Sequence, residues 1–397
     1  MGFLAVGLAA WKDARVDVTR AQDMAVLRRR TSEKWRTYPQ DVLPLFVAEM
    51  DYPLAPSIKT ALSRAIEHGD SGYVDKEELP ARTAFAGYAR DAWGWSPSPE
   101  RMGITTDVGV VIVESLRRLL SGGEGVIITP PVYPPFYELV PEAGGTVVEV
   151  PLVDDGEQFA LDLGGIDRAL AEGAKGVLLC SPHNPVGLVH PAEQLHELSS
   201  IVDRHGGFVV SDEIHAPLTF RGHRFTPYLT VSEAAREHGL AAASASKAFN
   251  LAGLKCGFFV AESDRMTSLI RSLPQEVTSR AGLFGVLATC AGLTHSRAWL
   301  AATIAAIEAN VALLGEQLTQ QLPRARLRTP AATYLAWVDL SGYGWGNDPA
   351  AYLLKAAKVA LSSGPAFGSP GAGYVRVNIA CAPEVLIEAI DRIAAVV

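Results

Sequence analysis

Ser244-Ala245-Ser246-Lys247-Ala248-Phe249-Asn250-Leu251-Ala252-Gly253-Leu254-Lys255-Cys256-Gly257 sets one lysine among small residues and hydroxyls. Small neighbours let a bulky planar group approach the amine, and hydroxyls can hold an anion beside it. Burial lowers a lysine's pKa and makes it a usable nucleophile or base. The competing reading is a Gly/Ser-rich loop with a solvated lysine, because short motifs have many false positives.

About thirty-five residues upstream runs Phe208-Val209-Val210-Ser211-Asp212-Glu213-Ile214-His215. The apolar run reads as a buried strand that ends in two acids and a histidine. In open α/β sheets, ligands bind beyond the carboxyl ends of strands, which puts Asp212 at a binding crevice. A lysine that can bind an aldehyde, with an aspartate at a strand end, is the arrangement pyridoxal phosphate needs. The lysine forms the Schiff base and the carboxylate faces the pyridinium nitrogen.

Further segments share a pattern with these two. They are Thr31-Ser32-Glu33-Lys34-Trp35, Leu43 to Tyr52, Gly72-Tyr73, Pro131-Val132-Tyr133-Pro134-Pro135-Phe136, Ser181-Pro182-His183-Asn184-Pro185-Val186-Gly187 and Val375-Arg376-Val377-Asn378. With them, the chain resembles the fold-type I pyridoxal-phosphate enzymes of the aspartate aminotransferase superfamily. Within that superfamily it is most similar to the cystathionine β-lyase group of the MalY/PatB type. Phe46, Glu49 and Tyr52 stand where that group is expected to carry Trp, Asp and Phe.

The resemblance implies a role for each residue. Lys247 carries the cofactor and shuttles the substrate Cα proton. Asp212 keeps the pyridine nitrogen protonated. Asn184 bonds the cofactor's 3-hydroxyl oxygen, although Asn-Pro also favours a plain turn. His215 falls where aminotransferases have a tyrosine near that hydroxyl, and a structural role is equally open. Tyr133, aimed by flanking prolines, stacks on the ring. Thr105-Thr106-Asp107-Val108-Gly109 leads into a helix, so the N–H groups of Gly109 and Val110 face the phosphate. Ser244 and Lys255 match the phosphate hydroxyl and cation. Tyr73 matches a tyrosine that reaches the phosphate of a second subunit, which makes the site shared across a homodimer. Arg376 grips the substrate α-carboxylate, with Ala48 and Tyr133 on the substrate side. Phe46, Tyr52 and Tyr133 are expected to line a neutral side-chain pocket, and Arg271 and Arg280 to be solvated charges.

The implied fold is α/β, with a mostly parallel seven-stranded sheet in a large domain and a smaller α+β domain. The expected division is an N-terminal segment 1–52, a large domain 53–290 and a small domain 291–397. Strands are read at Gly125–Thr129, Gly145–Val150, Gly176–Cys180 and Gly207–Ser211, with helices near Ala21–Arg30, Glu77–Trp93, Val110–Leu120 and Pro191–His205. The later part reads as a long helix Trp299–Gln320, a strand Tyr334–Leu340, a helix Pro349–Ala360, a strand Gly373–Ile379 and a last helix from Pro383.

The whole-chain balance is that of an ordinary globular protein. The 397 residues are 48% hydrophobic and 20% charged, with net charge −8 and no basic block. That argues against a nucleic-acid partner. Cys180, Cys256, Cys290 and Cys381 lie far apart, which fits reduced thiols in a cytoplasmic protein and neither a disulfide frame nor a metal site. No apolar run was expected to span a membrane. Met1–Ala10 is apolar but lacks a basic start, so it reads as an extended N-terminus or an arm on a neighbour. The expected activity is α,β-elimination that cleaves a Cβ–S bond of an L-amino acid. The alternative is a class I/II aminotransferase. A further reading adds a regulatory protein-binding role to the lyase.

Overall fold

The computed structural model describes residues 19–75 and 80–397. Met1–Ala10 and the expected helix start at Glu77 lie outside the described residues. Seven strands form the main sheet: β1 Met102–Thr105, β2 Gly125–Ile128, β3 Thr146–Glu149, β4 Gly176–Cys180, β5 Phe208–Asp212, β6 Gly239–Ala243 and β7 Gly257–Val260. Their order across the sheet is β1-β7-β6-β5-β4-β2-β3. All neighbours are parallel except at β7, which is antiparallel to both β1 and β6.

The central strands β4 and β5 are buried at every residue. Strands covered on both faces must be apolar throughout, and their Val/Leu runs supply that. Strands β1, β6 and β7 were not foreseen. β6 is Gly-Leu-Ala-Ala-Ala, a composition with little strand propensity. Its pairing with β5 and β7 decides the matter, since tertiary context overrides local preference in sheets.

A second, four-stranded antiparallel sheet is built from Arg326–Leu327, Leu335–Asp339, Tyr374–Asn378 and Ser362–Ser363. The expected helix Pro349–Ala360 stops at Ala356. Lys358 takes a positive φ of 57° and turns the chain, so that Val359–Ala360 pairs in parallel with Leu43–Pro44. The N-terminal segment is thus stitched to the C-terminal part. Asn378 Nδ2 donates to the carbonyls of Val47 (2.7 Å) and Glu49 (2.6 Å). Lys34 and Asp51 form a fully buried ion pair at 2.9 Å. The expected helix Ala21–Arg30 shrinks to Met24–Leu27 because its flanks are tied to this same segment. Gln22 N–H donates to the Asp51 carbonyl, and Arg30 donates to the Met50 and Tyr52 carbonyls. We propose the division 1–52, 53–290 and 291–397 on this stitching.

One expectation is corrected. The helix Arg297–Gln321 is long and apolar enough in composition to cross a membrane. Its Leu300, Ile307, Val311, Leu314 and Leu318 are buried in the main hydrophobic core, and it packs along the last helix Pro383–Ala394. It is a core helix here, and an apolar helix buried on one side is what such a core needs.

Candidate active site

The carboxyl ends of β1, β4, β5 and β6 deliver four loops to one edge of the sheet, around a cleft of about 350 Å³. That edge is where an open α/β sheet binds ligands. β6 runs into Ser244-Ala245-Ser246-Lys247, β5 ends on Asp212, and β4 runs into the Asn184 loop. The helix Val108–Leu119 begins just after β1 with Asp107 as its N-cap. Gly257 on β7 makes this closeness possible, since a Cβ there would sit 2.8 Å from the Asp107 carbonyl carbon.

Lys247 is half-buried and lines the cleft. Its Nζ makes one long hydrogen bond, 3.4 Å to the Ala48 carbonyl. Burial, with the nearby Arg376 charge, pushes its amine down to about 8. Asn250 fixes the loop from the far side. Its side chain pairs with both the N–H and the carbonyl of Met50, each at 2.9 Å. Asn250 adopts φ +58°, which asparagine tolerates better than most residues.

Asp212 faces the same cleft. Burial pushes its carboxyl up to about 7, and the Ile214 N–H holds its Oδ1 at 3.1 Å. A buried carboxylate with no ion-paired partner among the described residues is costly unless a ligand supplies the positive charge. Glu213 points to other partners, Tyr228 N–H (2.9 Å) and Ser211 Oγ (3.1 Å), and burial raises it to about 8. His215 lines the cleft, kept neutral by burial that lowers it to about 3, and its Nδ1 has no partner.

Asn184 lines the cleft between two cis peptide bonds, Ser181–Pro182 and Asn184–Pro185. Its Oδ1 accepts from Arg376 Nη1 at 3.2 Å, which leaves the amide N–H₂ for a ligand. Arg376 is buried and stands one residue removed from the cleft wall. Its Nη2 donates to the Phe46 carbonyl (3.0 Å) and Ser362 Oγ (3.1 Å), and its Nε is unpartnered. Among the described residues it faces no carboxylate, and burial lowers it to about 10. Three neutral oxygens stand where a counter-anion would be expected.

The phosphate end departs from expectation in detail. Val110 N–H is taken by Asp107 Oδ1 at 3.1 Å, so it is not free for a ligand. Gly109, in the first turn, keeps an N–H without an intrahelical acceptor and lines the cleft. Ser244 Oγ lines the cleft but donates to the Cys256 carbonyl at 2.7 Å and accepts from Ser246 N–H. Lys255 lines the cleft, ion-paired with Asp107 at 3.1 Å, and reaches it from a left-handed φ of +62°. Thr106 and Ser246 also line it and were missed. Both are small hydroxyls flanking motif residues, and that adjacency was their only signal.

Tyr133 lines the cleft, its ring edge-to-face with Phe136 at 5.9 Å. Tyr73 is fully exposed in the single chain and does not line the cleft. Tyr52 is a correction: it is buried in the hydrophobic core away from the cleft lining. Phe46 also stays off the lining and packs edge-to-face on Tyr38. Arg280 is exposed just past the short helix Gln275–Thr278 and pairs with its Glu276, and Arg271 is the exposed last residue of the helix Asp264–Arg271. Tyr334, not singled out from sequence, is buried beside this site and bonds the Ala48 carbonyl at 2.8 Å. No sequence signal near residue 334 marked it.

The chain matches the family "Aminotransferase class I and II" over residues 40–393. A Mycobacterium leprae protein provisionally named a cystathionine β-lyase is 41% identical over 392 residues, covering 92% of this chain and 94% of the relative. The cystathionine β-lyase PatB of Bacillus subtilis is 32% identical over 359 residues, covering 89% and 92%. A crystal structure from Corynebacterium diphtheriae, provisionally named a pyridoxal-phosphate-dependent β-cystathionase, superposes with a TM-score of 0.90 at 31% identity, covering 95% and 98%. The chain therefore belongs to the aminotransferase class I and II family of fold-type I pyridoxal-phosphate enzymes. Within it, the chain falls in the MalY/PatB group of cystathionine β-lyases.

The residues present fit the cofactor. A half-buried amine whose pKa is lowered to about 8 suits an aldehyde, and an unpaired buried carboxyl suits a pyridinium nitrogen. The unpartnered His215 Nδ1 and the free N–H at Gly109 leave polar capacity at the places such a ligand would use.

Proposed function

We propose that this enzyme is a carbon–sulfur β-lyase that takes an L-cysteine S-conjugate, such as cystathionine or an S-alkylcysteine. With one water, the conjugate gives a thiol, pyruvate and ammonia. The names of the relatives support the reaction class. The observation that carries the substrate class is the cleft wall. Ala48, Ile112, Tyr133 and Leu139 make it apolar and aromatic, and Lys255 is already paired with Asp107. Among the described residues no arginine lines the cleft, so a second substrate carboxylate finds no two-bond partner there. A thioether sulfur on Cβ needs none, and the distal carboxylate of cystathionine lies well beyond the place where aspartate carries its own.

The bound cofactor supplies an electron sink conjugated to the substrate Cα. The protein's residues do the rest. Lys247 Nζ takes the Cα proton, as its lowered pKa allows near neutral pH. Asp212 holds a proton on the ring nitrogen. Asn184 offers its amide N–H to the 3-hydroxyl oxygen, His215 stands beside it, and Tyr133 packs on the ring face. Gly109 and Lys255 form the phosphate end; Ser244 would donate there only by releasing the Cys256 carbonyl, and Val110 only by releasing Asp107. Arg376 meets the α-carboxylate, whose oxygens would replace the Phe46 carbonyl and Ser362 hydroxyl. Tyr73, exposed here, is read as completing the site of a second copy, which makes the enzyme a homodimer. A cytoplasmic location belongs to the same reading, and all four cysteines are free.

The test uses purified protein. Cystathionine is expected to give pyruvate with no added 2-oxo acid. Its kcat/KM is expected to exceed that of aspartate with 2-oxoglutarate by about a hundredfold, the scale of one buried unpaired charge. Faster turnover of aspartate, dependent on the 2-oxo acid, would establish an aminotransferase instead.

A further inference from the structure

The Ala48 carbonyl carries two donors. Tyr334 Oη reaches it at 2.8 Å and Lys247 Nζ at 3.4 Å. A carbonyl oxygen has two lone pairs, so both can bind, but they compete for the same electron density. A lysine N–H donating to a carbonyl normally sits at about 2.7–3.2 Å, so the 3.4 Å contact is long. The phenol, at 2.8 Å, keeps the ordinary O–H···O distance. Tyr334 is fully buried, with its ring near His215 at 6.3 Å, and cannot trade this acceptor for water. The bond to Ala48 is the one hydrogen bond Lys247 Nζ makes among the described residues.

We propose that Tyr334 is a positioning residue for Lys247: by loading the Ala48 carbonyl, it weakens the one bond that, among the described residues, would hold the lysine as a parked ammonium. The amine is then free to meet the cofactor aldehyde and to move a proton at the substrate. The inference rests on the reading of Lys247 as the cofactor lysine. Other groups act on the same charge. Arg376 opposes it, while Asp212, Glu49 and Glu33 favour it. Both variants below leave all four in place.

Full-length protein is stripped of cofactor and given pyridoxal phosphate, and covalent capture is followed by absorbance across pH. The neutral amine captures, so the rate rises with pH through the lysine's own pKa. In Tyr334→Phe the carbonyl is free to bind the ammonium more tightly. The inflection should move up by about half a unit, and capture at pH 7 should slow about threefold. Site-specific replacement of Tyr334 by 3-fluorotyrosine, whose O–H is the stronger donor, should move the inflection down. It serves also where Tyr334→Phe folds poorly. A merely structural tyrosine would change stability or the amount of competent protein, leaving the inflection in place. An inflection that stays put in both variants, or moves the same way in both, overturns the proposal. Borohydride fixation in wild type is the control. Label on another lysine would sink the reading of the site itself, whereas label on Lys247 with an unmoved inflection would sink only the role of Tyr334.

Discussion

Replacing Lys247 by alanine is expected to end turnover and to remove the borohydride-fixed cofactor from its peptide. Among the described residues Lys247 Nζ is the one lysine amine lining the cleft that is not already in an ion pair, since Lys255 is held by Asp107. Its removal takes away both the covalent anchor and the group that moves the Cα proton. General acid–base catalysis alone contributes a factor of about 10²–10⁴, so a loss of about a thousandfold or more is expected. Mass spectrometry of the reduced protein checks the anchor independently of rate. A Lys247→Ala protein that still carried a reduced adduct on the same peptide would refute the assignment.

Asp212→Asn is expected to keep the cofactor bound and still turn over about a thousandfold more slowly, near 4 kcal/mol of barrier. Asparagine matches the shape and can keep the Ile214 N–H bond, but it carries no charge to hold a proton on the ring nitrogen. The cost of burying Asp212, seen in its carboxyl raised to about 7, is sustained only because a cation is meant to meet it. Absorbance of bound cofactor separates loss of binding from loss of chemistry. Near-normal kcat in the loaded variant would make Asp212 a loop residue capped by Ile214.

The residues readable in the sequence share one property. Lys247, Asp212, Asn184 and Gly109 each lie at or within a few positions of a strand end; the strands before Asp212 and Asn184 were legible and place those two by the strand-end rule, whereas Lys247 and Gly109 were legible only from their own motifs, since β6 and β1 were not. What was not readable depends on distant pairing. Tyr334 meets Ala48 across 286 positions, and Asn250 meets Met50 across 200. Neither has a local signature. The alanine-rich strand β6 is strand only because β5 and β7 flank it. The displacement of Tyr52 into the core has a similar origin. The segment Phe46–Tyr52 follows the hydrogen bonds of Asn378, Asn250 and Arg30, and these turn Ala48 toward the cleft and Tyr52 away. Val110 departs from expectation for a smaller reason: the aspartate before the helix caps it first and occupies the Val110 N–H.

The fate of the substrate nitrogen separates elimination from transamination more directly than any rate. Full-length holoenzyme would be mixed with an equal amount of cystathionine labelled with ¹⁵N on its cysteinyl amino group alone, with no 2-oxo acid present, and the products followed by nuclear magnetic resonance and a thiol assay. The account predicts ¹⁵N in free ammonium, one for each thiol released, and none left on the protein. Nitrogen retained by the protein without thiol release, and passed to an amino acid only when a 2-oxo acid is added, would contradict it.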